Sequence, residues 1–173
     1  RLSFSVHQDA ELGDFLLLLG PITTGDADRL EAYLRGLNVV PATVALHSPG
    51  GIVDEALQIG RRLRDEALST MILPSMICMS SCPYVLAAGV DRHVSLRGAV
   101  GLHQHYYDAP GYMPVFFAVE SIQRNQGRTM SYLIEMGIDP GVMVYGLQTS
   151  PDDIYILVER ELRESQIATE IMP

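Results

Sequence analysis

The sequence predicts an α/β fold: a largely parallel sheet with crossover helices. Two observations carry this expectation. Short runs of Leu, Val, Ile and Ala alternate with longer amphipathic stretches, and the alternation continues for most of the length with no repeat or low-complexity linker. A third observation is size, because 173 residues with 47% hydrophobic content suit one domain over 1–173 with a full core.

The elements follow in order. The run DFLLLLG (14–20) is a buried strand. ITTGDADRLEAYLRGL (22–37) turns into an amphipathic helix, with Thr24 or Asp26 as cap and Ala27, Leu30, Tyr33, Leu34 and Leu37 at helical spacing. PATVALHS (41–48) is a second buried strand and PGG (49–51) a turn. IVDEALQIGRRLRDEA (52–67) is a helix with Ile52, Ala56, Ile59 and Leu63 along one side, joined just beyond its end by Leu68. STMILP (69–74) is a third strand, stopped by Pro74. In SMICMSSCPYVLAAG (75–89), Pro83 belongs in the first turn of a helix, so the helix starts near Ser80 or Ser81 and stops at Gly89. RHVSL (92–96) and GAVGLHQH (98–105) are strand-like. A long helix spans 115–137 with a weak point at Gly127, followed by a short helix (142–148), a strand (153–157) and a closing helix (159–167).

Composition excludes several classes of function. A net charge of −9 argues against a nucleic-acid partner, since phosphate binding needs clustered Lys and Arg. The one basic cluster, GRRLRDE (60–66), alternates with acids as a solvated helix face does. No apolar run approaches the ~20 residues that span a bilayer. Because the chain begins at Arg1, we expect a processed or trimmed upstream piece. Two cysteines make neither a disulfide framework nor a CxxC zinc pattern.

In parallel-sheet folds, ligand-binding groups gather in turns at the carboxyl ends of strands. Three such turns carry unusual residues: HSPGG (47–51), CMSSCPY (78–84) and LHQHYY (102–107). In the first, Gly50 and Gly51 can turn bare N–H groups toward a negative oxygen, or form a routine strand-to-helix turn. In the second, Ser80 stands at the start of a helix as either an N-cap or a nucleophile. In the third, His103 is suited to accept a serine proton near neutral pH. A His-x-His zinc site at His103 and His105 lacks a clear third ligand. His7, His47 and His93 have no identifiable partner and read as ordinary surface or hydrogen-bonded histidines.

Taken in order, HSPGG, SSCPYVLAAGVDR and LHQH resemble the proteolytic subunit of the Clp protease and the wider group of signal-peptide peptidase A and the crotonase-type enzymes. Ser80 stands nine residues before Gly89, and His103 follows Ser80 by 23. The likeness runs over about 14–169 and implies a spiral of β-β-α units. It also implies a serine peptidase acting on a peptide or protein substrate, without metal or cofactor, as a homo-oligomer. By the same resemblance, Ser80 is the nucleophile, His103 its general base, and the backbone N–H groups of Gly51 and Ser81 the oxyanion hole. The third member is an aspartate in SPDDIYILVEREL (150–162), either Asp152 or Asp153, with Asp153 favoured.

The chain also departs from that family. It shows ICMSSC where the family has a glycine-alanine lead, so Cys78 and Cys82 flank Ser80. The two cysteines pair in an oxidising compartment or stay apart, and a cysteine nucleophile is a further option. YYDAPGYMPVFF (106–117) does not follow the family's substrate-binding strand, whereas the apolar segment 115–136 suits an oligomer interface. Two rivals stand beside the peptidase. A crotonase-like acyl-CoA enzyme would use the glycine turn but has no use for a Ser80–His103 pair. A ClpP-like scaffold with an incomplete triad would use neither.

Overall fold

The computed structural model describes residues 1–106 and 114–173. The large sheet is built from β1 (Ser3–His7), β2 (Phe15–Leu19), β3 (Thr43–His47), β4 (Ser69–Ile72), β6 (Arg92–Ser95) and β9 (Glu170–Met172), adjacent in that order. A small sheet holds β5 (Ile77–Met79), β7 (Ala99–Leu102) and β8 (Tyr155–Ile156). The helices are α1 (Asp26–Arg35), α2 (Val53–Asp65), α3 (Cys82–Ala87), α4 (Val115–Glu135), α5 (Met143–Leu147) and α6 (Glu159–Glu164), with a 3-10 turn at Pro140–Val142.

The protein is therefore mixed α/β with a mostly parallel sheet. From β2 to β9 every neighbouring pair in the large sheet is parallel, and only the edge strand β1 runs antiparallel, beside β2. In the small sheet β5 and β7 are parallel and β8 is antiparallel to β7. The central strands are the apolar runs of the sequence, because a parallel strand covered on both faces has no polar side. Leu16, Leu18, Val44, Leu46 and Ile72 are all buried in one core with α1, α2 and α3. Each fully buried side chain of this size contributes about 1.5–3 kcal/mol.

Beyond β4 the chain alternates between the sheets. β4 lies in the large sheet and β5 in the small one, and α3 returns the chain to β6 in the large sheet and β7 in the small one. This alternation places the ends of β3, β5 and β7 side by side. The bridge Ser48–Cys78 then ties the end of β3 to β5, with Ser48 N–H donating to Ile77 O (2.8 Å) and Met79 N–H to Ser48 O (3.0 Å).

Several local expectations change. β1 and β9 have no sequence forecast: β1 is mostly exposed with alternating serines, and β9 is a three-residue edge. Neither Thr24 nor Asp26 caps α1. Gly25, at φ 81°, is the N-cap, while the buried Asp26 carboxylate turns back to accept the N–H groups of Thr23 and Leu2 and to pair with Arg29. Ile52 leaves the core stripe of α2 and stands 43% exposed at the N-cap. The helix α4 runs unbroken through Gly127. No helix among the described residues is long and apolar enough to cross a membrane.

One contact joins three helices. Gly60 of α2 lacks the side chain that would collide with the Tyr132 hydroxyl, at 1.8 Å from an added Cβ. Tyr132 is thereby buried against α2 and donates to Tyr84 O of α3 at 2.7 Å. The desolvated phenol is held above its ordinary pKa by burial and stays a donor.

Candidate active site

The three turns singled out by sequence meet at the ends of β3, β5 and β7. Ser80 follows β5 directly, and its N–H donates to Gly101 O of β7 at 3.0 Å. Since Met79 pairs with Gly101, the next residues on each strand, Ser80 and Leu102, are neighbours, and His103 follows at once. The Ser80 hydroxyl lies 2.7 Å from His103 Nε2. Ser80 has φ 61°, in the left-handed region that residues with a side chain seldom occupy, and is half-buried. A reversal of this kind between a strand and a helix lifts the side chain out of the backbone path, as strained conformations at functional sites do.

His103 Nδ1 lies 2.8 Å from the carbonyl oxygen of Pro151. A carbonyl can only accept, so Nδ1 carries the hydrogen and Nε2 presents its lone pair to the Ser80 hydroxyl. Here the structure differs from the sequence reading. The group on Nδ1 is the Pro151 carbonyl, not the Asp153 carboxylate. Asp153 is exposed, with its N–H given to Ser150 O (3.0 Å) and its Oδ1 accepting from Ile154 N–H (2.7 Å), which folds the carboxylate onto its own turn. Asp152 accepts the hydroxyl of Tyr106. No residue type foretells this partner, because a main-chain carbonyl is common to every residue; only the path of the 150–153 turn selects it. For a catalytic Ser80–His103 pair, Asp153→Asn is therefore expected to change turnover by no more than about twofold, as at an ordinary surface position. A pH–rate profile of the two proteins checks this, and a collapse of activity would restore the carboxylate to the triad.

The glycine turn packs onto the Ser80 backbone. A Cβ on Gly50 would lie 2.5 Å from Met79 O, 2.7 Å from Ser80 Cβ and 2.9 Å from Ser81 N, and Gly50 has φ 91°. The buried Ser48 hydroxyl accepts the Gly50 N–H at 3.0 Å. Among the described residues, the N–H groups of Gly51 and Ser81 donate to no protein acceptor. Two main-chain N–H groups without a protein acceptor among the described residues therefore stand near the Ser80–His103 pair, Gly51 in the turn packed on it and Ser81 next to the serine.

Ser81, the N-cap of α3, places its hydroxyl in the interior with no partner among the described residues and makes no cap bond. Its hydroxyl therefore serves no visible contact, while its backbone N–H stands next to Ser80. Ser81→Ala is expected to retain activity and to hold or raise stability by up to about 1 kcal/mol, because a buried unpaired hydroxyl is removed. Thermal unfolding read beside turnover checks both halves.

His105 has a different partner, its Nε2 lying 2.9 Å from the Tyr84 hydroxyl. Burial, and secondarily the neighbouring His103, hold its pKa below the ordinary imidazole value, so it is neutral at pH 7. The two histidines thus serve different partners, and among the described residues no group of three or more His, Cys, Asp or Glu is placed to hold a metal. Cys78 and Cys82 are joined in a disulfide, so neither is a thiol nucleophile.

An open cleft of about 620 Å³ runs past Gly51, Ser80 and His103, bordered by Ile52, Asn125 and Thr129. Behind His103 lies a smaller cavity of about 170 Å³, walled mainly by Leu102, Ile122, Leu133, Met143 and Leu147. Of the divergent stretch 106–117, residues 107–113 lie outside the described residues.

Compared with protein-family models and with curated proteins, the chain matches none. What the residues themselves define is a mixed α/β protein with a hydrogen-bonded serine–histidine pair beside two open main-chain donors.

Proposed function

We propose that this chain is a serine peptidase of ClpP-like, crotonase-type architecture that hydrolyses peptide bonds through an acyl-enzyme. The observation that carries the reading is the 2.7 Å contact of Ser80 Oγ with His103 Nε2, its tautomer set by Pro151 O. The alternation of strands between two sheets supports the β-β-α spiral that such an architecture requires.

In this reading His103 takes the Ser80 proton as Oγ attacks the carbonyl carbon, and the tetrahedral oxyanion settles between the Gly51 and Ser81 N–H groups. His103 then gives its proton to the leaving amine, and water attacks the acyl-enzyme by the same route in reverse. The Pro151 carbonyl orients the imidazole as an aspartate would, with less electrostatic support for the imidazolium because it carries no full charge. The mechanism draws on no metal or cofactor. The apolar cavity behind His103 suits an apolar side chain beside the scissile bond. The chain would work as a homo-oligomer, its exposed Val115, Phe116, Phe117 and Ile134 on α4 covered by another copy.

A fluorophosphonate probe tests the reading. Stoichiometric labelling mapped to Ser80, with hydrolysis of peptides bearing Leu or Met before the cleaved bond, supports it. A folded sample that stays unlabelled returns the protein to the scaffold reading. Binding of coenzyme A in calorimetry without labelling would favour the acyl-CoA reading, which shares the paired N–H donors.

A further inference from the structure

We propose that the Cys78–Cys82 disulfide positions Ser80 for attack, so that the reactivity of the site depends on the oxidation state of this bond. The inference rests on the serine-nucleophile reading above and extends it to how the serine is held.

The bond joins Cys78, the middle residue of β5, to Cys82, the first residue of α3. It closes a covalent ring around Met79, Ser80 and Ser81, so the nucleophile and one of the two open N–H donors both lie inside it. The elements on either side are short and depend on their packing, β5 on its pairing with β7 and α3 on its burial. β5 has three residues and α3 six, too few for either to hold its conformation unaided. Between them Ser80 must keep φ 61°, from which an unconstrained residue relaxes toward negative φ. Such a relaxation rotates Cβ and carries Oγ away from His103, while Ser81 N–H turns with it. The cross-link shrinks the set of conformations open to this five-residue segment, which is what a disulfide contributes in general. The cleft side supplies less restraint. Cys78 and Met79 are held by the β5–β7 pairing and by Met79 N–H to Ser48 O, whereas Ser80 itself has the close approach of Gly50 and one hydrogen bond, its N–H to Gly101 O.

Both cysteines are buried, at 0% and 1% exposure, so reduction needs local opening of the α3 start. A dithiol such as dithiothreitol would break the S–S bond by exchange through a mixed disulfide, leaving two protein thiols and one oxidised, cyclic reagent. No other group changes oxidation state.

The experiment compares the oxidised chain with the chain opened in two ways, by dithiothreitol and by the double substitution Cys78→Ala with Cys82→Ala. Intact mass reports the bond, circular dichroism the fold, and a fluorophosphonate time course gives two numbers, the rate constant for labelling Ser80 and the final labelled fraction. Opening the ring is expected to lower the rate constant about tenfold or more while the final fraction stays complete, since small misplacements of a reacting atom cost this much or more. The pH midpoint of labelling should stay in place, because His103 remains the base.

A purely structural staple would lower the labelled fraction and leave the rate constant of the folded molecules unchanged, and that result overturns the proposal. So does labelling of the opened chain at the oxidised rate. Should dithiothreitol leave the bond intact, the double variant decides by the same two numbers. An oxidised chain that never labels sinks the serine reading itself, and this inference with it, and is thereby told apart from failure of the disulfide's role alone.

Discussion

Ser80→Ala is expected to lower peptide hydrolysis by about 10⁴-fold or more, since removing the nucleophile leaves only binding and the main-chain donors to assist water. The loss belongs to kcat, and fluorophosphonate labelling should vanish with it. Stability should hardly change. Alanine keeps a Cβ at φ 61°, so the backbone strain is the same, and the ring from Cys78 to Cys82 stays closed. Ser80→Gly separates the two effects. It removes the nucleophile and the Cβ conflict together, and is expected to raise unfolding free energy by about 1 kcal/mol while remaining equally inactive. Turnover and chemical denaturation of the three proteins measure this. Activity surviving in Ser80→Ala would remove the serine from the chemistry.

Gly51→Ala is expected to be damaging by a different route, with a smaller loss of activity and a larger loss of stability. A Cβ at Gly51 would lie 2.0 Å from the carbonyl oxygen of Ile22, and φ 149° is a conformation that side chains disfavour. The chain must move. The pairing that seats this turn, Ile22 N–H to Gly50 O at 2.9 Å and Ile52 N–H to Ile22 O at 3.0 Å, would break as it does. The Gly51 N–H then turns from the cleft, and the loss of one oxyanion donor costs about 10²–10³ in kcat. Because that donor acts on charge that develops only in the transition state, KM should change far less than kcat. Stability should fall by about 2–3 kcal/mol, in the range of strained backbone substitutions. A variant with unchanged kcat would show that the Gly51 N–H has no part in the reaction.

These two positions illustrate what sequence reading reaches. The parallel strands were legible because β2, β3 and β4 are apolar runs between helical stretches, and period and burial are local properties of the chain. Pro83 marked the start of α3 because a residue without an N–H is tolerated in a first turn. The edge strands β1 and β9 escaped notice for the opposite reason: exposed on one side or too short, they carry little apolar pattern, and only the neighbouring strand makes them strands. The sequence predicts a weak point at Gly127 in α4, yet the helix passes through it, because a glycine lowers helix propensity without breaking a hydrogen bond.

At the site, residue type and glycine freedom single out Ser80, His103 and the Gly50–Gly51 turn as candidates, whereas the pairing of the Gly51 and Ser81 N–H groups comes from the family resemblance. The resemblance also points to Asp153, and there the structure places a different group on the imidazole. A carboxylate can satisfy itself on its own turn, as Asp153 does with Ile154 N–H, while the neighbouring carbonyl of Pro151 orients the imidazole.

The amino-acid sequence by itself determined the order of the inner strands and the helices, the apolar core and the residue types gathered in the three turns, since each follows from local pattern and side-chain chemistry. Tertiary structure alone decided that Ser80 Oγ and His103 Nε2 lie 2.7 Å apart, that Cys78 and Cys82 are bonded, and that a carbonyl holds the imidazole. Those are distances between segments remote along the chain or reversed at a single residue, and such distances are set by how the two sheets exchange strands, which no local preference encodes.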